Sequence, residues 1–160
     1  MRKKLILIVV FWTFILFGVA KAFWHLASPI WIDQVVSEER PNAKMYSVHK
    51  TGTFKDADSS HRGRGVATIH EAHDGQRIVS LADFAVTNGP DLIVYAVESD
   101  TISDSDSVLQ SRLLNLGALK GNVGNQNYAI PADIDFEIGS IVIWCEQFSV
   151  LFSAAELNEQ

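Results

Sequence analysis

From Thr51 onward the chain never holds a 3.6-residue apolar period for more than about three turns. Short apolar runs alternate instead with turn signals. An amphipathic helix needs a stripe recurring every three to four residues, so a chain without one must bury its apolar side chains on strands. Val66, Thr68 and His70 alternate with Ala67 and Ile69, and Asp74-Gly75 supplies a hairpin turn ahead of Ile78-Val79-Ser80-Leu81. Asn88-Gly89-Pro90 then breaks the chain before Leu92 to Val97, an almost continuously apolar run that predicts a central strand buried on both faces. Further apolar pieces lie at 113–119, 128–130, 138–145 and 148–152. About eight to ten strands in such a length predict an all-β domain over 51–157, sandwich or jelly-roll-like.

The other end of the chain is of a different kind. Arg2, Lys3 and Lys4 form a basic start over 1–4, and Leu5 to Ala20 follow without a charge. A run of that kind directs a chain into or across a membrane, with its basic end on the cytoplasmic side. Ala20-Lys21-Ala22 fits the cleavage pattern of a signal peptide. Apolar character nevertheless resumes with Phe23, Trp24, Leu26, Ile30 and Trp31, which favours an uncleaved signal-anchor over 5–26, close to the ~20 residues that cross a bilayer. Either reading places the body outside the cytosol, on the periplasmic or extracellular side. Residues 27–50, polar around Pro41 and without a sustained period, read as a juxtamembrane stalk.

Charge divides along the same line. The chain of 160 residues carries 19 acidic and 13 basic side chains. Arg2, Lys3, Lys4 and Lys21 account for the basic head, leaving 9 basic against 19 acidic from residue 23 onward, a net charge of −10. Such a body repels phosphate and offers no footprint for nucleic acid. Cys145 is the one cysteine, which excludes an intramolecular disulfide, a C-x-x-C pair and a four-cysteine zinc site.

Three stretches invite a chemical reading. Glu98 to Ser107 is rich in side-chain oxygens of the kind calcium prefers, but EF-hand spacing is absent and a solvated loop between strands is expected. Gly117, Gly121 and Gly124 lack the Gly-Lys-Ser/Thr ending of a phosphate loop and are expected to permit turns or close strand approach. In Ile141-Val142-Ile143-Trp144-Cys145, strand alternation puts Ile141, Ile143 and Cys145 on one face and Val142 with Trp144 on the other. A thiol among isoleucines reads as a small core hydrophobe, and its reactivity would require a nearby cation or metal. His61, His70 and His73 are the candidate partners, with Arg62 and Arg64 close to His61. A hydrolytic Cys-His-Asp set using Asp83 has no local nucleophile signature. His49 in the stalk and His25 at the membrane edge are expected to be solvated or interfacial.

Five segments occur in an order that resembles a known family. They are His61 with Gly65-Val66-Ala67-Thr68-Ile69; Leu81-Ala82-Asp83-Phe84; Asn88-Gly89-Pro90-Asp91 running into Leu92-Ile93-Val94-Tyr95; Leu116 to Pro131; and Ile143-Trp144-Cys145-Glu146-Gln147-Phe148 running on to Leu157. Together they resemble the DM-thirteen domain, an electron-transfer module found beside DOMON domains in Skeletor-type animal proteins and alone, behind a membrane anchor, in bacteria.

The resemblance implies a strand-rich extracytoplasmic domain whose family cysteine, here Cys145, serves redox chemistry as a bare thiol or by holding a group such as haem. Trp144 and His61 are then the expected neighbours of that centre. DOMON-type haem domains use a methionine and a histidine, whereas Met45 lies in the stalk, so a haem here would fall to Cys145 with a histidine. No redox partner is identified by these residues, and a hydrolase or transferase is not expected. Two other classes stand beside the redox reading: a non-catalytic binding or adhesion module of the cell envelope with a structural Cys145, and a calcium-stabilised module.

Overall fold

The computed structural model describes residues 11–13, 15–21 and 32–159. The chain divides into two units, Met1–Ile32 and Asp33–Gln160. In the first, residues 11–13 and 15–21 are helical. Among the described residues no helix is long and apolar enough to cross a membrane. The anchor expected over 5–26 falls for the most part outside the described residues.

The second unit is all-β. In chain order its elements are β1 (Val35–Ser37), β2 (Tyr46–Asp56), β3 (Gly63–Ala72), β4 (Arg77–Val86), β5 (Leu92–Val97), a one-turn helix α1 (Ser105–Leu109), β6 (Leu113–Ala118), β7 (Val123–Ile130), β8 (Ser140–Cys145), β9 (Val150–Glu156) and β10 (Asn158–Glu159). They form one sheet in the order β1-β7-β4-β3-β2-β9-β8-β5-β6, with β10 added against β2. In place of two separate sheets there is a single curled one, a half-barrel. The cause is β2, whose 11 residues serve both halves: Tyr46 to Thr53 pair with β3, and Phe54 to Asp56 pair with β9. One inner layer results, with Phe54, Ile69, Leu81 and Phe84 from one half packed in the same cluster as Val94, Ile141, Ile143 and Cys145 from the other.

The hairpin of β3 and β4 turns where the Asp-Gly signal places it. Gly75 adopts φ 84, and Gln76 N donates to Asp74 Oδ1 at 3.0 Å. β5 is an interior strand flanked by β6 and β8, but it lies next to the sheet edge and is only half-buried at Ile93 and Tyr95. The strand buried at every position, however, is β8. Its second face is covered by the segment expected to be a solvated loop. Asp104 caps α1 with a reciprocal Asp104–Ser107 capping box, and Val108 is wholly buried against Val97, Val142, Trp144 and Leu151. Ser99 thus closes a turn and Asp104 with Ser107 caps the helix, while Glu98 faces Arg112, and one apolar residue beyond them closes a second core.

The expected stalk is also corrected. Residues 33–50 contribute β1 and the start of β2 to the domain, β1 running parallel to β7. The polar side chains that made this stretch look unstructured have partners far away in sequence. Glu38 Oε1 meets Lys120 Nζ at 2.7 Å and Glu38 Oε2 accepts from Asn127 N at 2.7 Å. Lys50, 8% exposed, donates to the Ile138 carbonyl at 3.1 Å and pairs with Glu137 at 2.6 Å. Gly124 permits the approach of β1: it sits at φ 104, and a Cβ there would lie 2.0 Å from the Val36 carbonyl oxygen. The glycine cluster therefore admits a strand, as its spacing predicts.

Candidate functional site: the buried thiol and its surroundings

Cys145 ends β8 between Leu92 of β5 and Val150 of β9. Its side chain belongs to the inner cluster with Ile141 and Ile143, while Trp144 and Val142 belong to the outer one, so the alternation holds. The residue has no solvent exposure. The thiol is nevertheless satisfied, because Cys145 Sγ donates to the Pro90 carbonyl at 3.1 Å. Glu146 N donates in turn to the Asp91 carbonyl at 3.1 Å. The Asn88-Gly89-Pro90-Asp91 turn, with Asp91 at φ 50, is thereby pinned over the end of β8 by two consecutive donors.

His61 lies in the turn between β2 and β3, and Asp58 builds that turn. Asp58 Oδ1 accepts from Ser60 N at 2.6 Å and from His61 N at 2.8 Å, and Oδ2 meets His61 Nδ1 at 2.7 Å. These bonds to the charged form, that of the imidazole first, hold the Asp58 carboxyl down at about 2. The other side of the imidazole rests on Phe152, with ring centroids 4.3 Å apart. Phe152 is part of the inner cluster that contains Cys145, and a Cβ on Gly89 would come within 2.6 Å of its ring. His61 therefore relates to Cys145 through Phe152 and the Gly89-Pro90 backbone rather than by direct contact. Trp144, expected beside the thiol as a cofactor-binding residue, faces the opposite side of the sheet beneath α1.

Each remaining candidate has its own partner. His70 Nε2 lies 2.8 Å from Ser80 Oγ, and burial lowers its pKa. His73 Nδ1 lies 3.3 Å from the Met45 carbonyl, and His49 Nε2 lies 3.9 Å from a Glu137 carboxylate oxygen. Asp83 pairs with Arg40 at 2.9 Å, so it forms no triad with Cys145. His25 is outside the described residues. Among the described residues no three His, Cys, Asp or Glu side chains gather as a metal site would require. A haem ligated by Cys145 and His61 does not fit this arrangement either: the thiol is enclosed by core and bound to Pro90, and the Phe152 ring lies between it and the imidazole.

Two participants escape sequence reasoning, the Pro90 carbonyl and the Phe152 ring. Both lie inside segments that carry the family resemblance, which is the signal that could have singled them out. A backbone acceptor has no residue signature, however, and Phe152 reads as ordinary core.

These features define an all-β half-barrel around one sequestered thiol capped by a proline turn. A family model described as Electron transfer DM13 matches residues 53–157, and the chain belongs to that family. No match was found among curated proteins or among solved structures.

Proposed function

We propose that the protein is an extracytoplasmic electron-transfer domain, tethered to a membrane by its amino-terminal apolar segment, with Cys145 as the redox centre. Beyond the family itself, one observation carries this reading: two family-like segments, Asn88 to Asp91 and Trp144 to Phe148, converge on the thiol, which is capped by a single hydrogen bond to Pro90. In the closed state that cap keeps the sulfur from solvent oxidants and from alkylation. When the turn lifts, the Cys145 sulfur gives up its proton and attacks one sulfur of a partner disulfide. The mixed disulfide forms, and the other sulfur leaves as a thiolate that takes up a proton. The oxidant in this scheme is the partner disulfide, and His61 is linked to the surroundings of the thiol through the Phe152 ring.

The test is the rate of thiol modification in the folded full-length chain, set against its global unfolding rate. Modification, or mixed-disulfide formation with a small aromatic disulfide, that outpaces unfolding and vanishes in Cys145→Ser supports a gated redox thiol. A thiol that reacts only at the unfolding rate sinks it. The complete burial of Cys145 favours a second reading, a non-catalytic envelope binding module with a structural cysteine. On that reading Cys145→Ala retains ligand binding and loses only stability.

A further inference from the structure

The body has ten more carboxylates than cations, yet two arginines beside one cleft stand apart from them. Arg40, Lys50, Lys55, Arg112 and Lys120 each hold a carboxylate. Arg77 acts on Glu137 through space, and Lys44, which forms no ion pair among the described residues, does not line the cleft. Among the described residues neither Arg62 nor Arg64 forms a side-chain ion pair, although both line an open cleft of about 470 Å³ at the start of β3. The residue between them explains their common direction. Gly63 faces inward, where a Cβ would lie 2.1 Å from Ser153 Oγ, so strand alternation turns its two neighbours outward together.

The rest of the cleft narrows the ligand. Asp33 and Asp56 also line it. Asp33 Oδ1 accepts from Asn122 at 2.7 Å and from Asn88 at 2.9 Å, and Asp56 Oδ1 accepts from Gly63 N at 2.9 Å. Among the described residues the second oxygen of each carboxylate has no partner, and the hydrogen bonds from Asn122 and then Asn88 lower the Asp33 pKa. Thr87 Oγ1 accepts from Arg62 N at 3.3 Å, which leaves its hydroxyl proton to donate. Two free guanidiniums bind a carboxylate in fork geometry, and free carboxylate oxygens accept from hydroxyls. The same carboxylates repel a phosphate dianion.

We propose that this cleft is a binding site for a hydroxy-carboxylate of the uronate type, its carboxylate held by Arg62 and Arg64 and its hydroxyls by Asp33 and Asp56. The site is separate from the thiol and independent of the redox reading. Calorimetric titration of the full-length chain with glucuronate, glucose and inorganic phosphate tests it. Saturable glucuronate binding is expected, with glucose and phosphate weaker by at least about tenfold, the weight of one charge-assisted hydrogen bond. Arg62→Gln and Arg64→Gln should each weaken glucuronate by about tenfold, and Arg112→Gln, whose guanidinium is engaged with Asp135, should leave it unchanged. Thermal midpoints close to that of the parent chain confirm that the variants fold. Absence of saturable glucuronate binding overturns the proposal, as does undiminished binding in the double arginine variant. Phosphate binding as tightly as glucuronate overturns the hydroxy-carboxylate assignment.

Discussion

Cys145 Sγ donates to the Pro90 carbonyl at 3.1 Å, joining the end of β8 to the turn that enters β5. The bond does two things: it gives the buried thiol a partner and it ties the half-buried Asn88-Gly89-Pro90 turn to the end of β8.

Removing the sulfur should therefore cost more than its volume suggests. Cys145→Ala leaves a small void and an acceptor without its donor, and a loss of about 1 to 3 kcal/mol is expected by chemical denaturation. Cys145→Ser keeps a donor for Pro90, so its loss should be smaller than that of the alanine variant. Equal losses would show that the hydrogen bond contributes nothing.

The Asp58 carboxylate should make the β2–β3 turn sensitive to acid. Its folded pKa, about 2, lies below the ordinary 3.8, so its stabilisation is complete above that ordinary value and disappears as pH falls through about 2. Asp58→Asn should be less stable than the parent at pH 6, and the gap should narrow steadily as denaturation is repeated at lower pH. A gap that stays constant with pH would refute the assignment.

Gly124 should tolerate no side chain. Gly124→Ala combines φ 104 with a Cβ placed 2.0 Å from Val36 O. The backbone conflict alone exceeds about 1 kcal/mol, and the contact should strip β1 from β7. Hydrogen exchange should then accelerate at the amides of 35–37 while β8 stays protected.

The cover over Trp144 should also be separable from the inner core. Val108→Ala should cost about 2 kcal/mol as a buried truncation, and Asp104→Ala about 1 kcal/mol as a lost N-cap. Both should raise Trp144 exposure in fluorescence quenching while leaving Cys145 unreactive, because the two residues lie on opposite faces of β8.

Much of the inner layer was legible. Period-two alternation placed Ile141, Ile143 and Cys145 together on one apolar face, and Asp74-Gly75 located the β3–β4 hairpin. The amino-terminal edge was not, because Glu38 and Lys50 look solvated until their partners near residues 120 and 137 are brought to them. The outer core was hidden for a similar reason: Val108 follows a stretch, Glu98 to Ser107, in which Ile102 is the one apolar residue, and one-turn helices carry no period to detect. At the site, the position and facing of Cys145 were readable, but its pairing with a backbone oxygen and its separation from His61 by Phe152 were not.

Local chemistry alone settles which residues can be strands, where the chain turns, that Cys145 has no disulfide partner within the chain, and that basic and acidic charge lie at opposite ends. Those properties depend on neighbours within a few residues. Whether the strands made two sheets or one, what sealed the thiol, and which arginines were left without carboxylates depended on contacts between residues tens of positions apart. Such contacts arise only when β2 carries the sheet from one half of the barrel to the other, so composition and spacing could not reveal them.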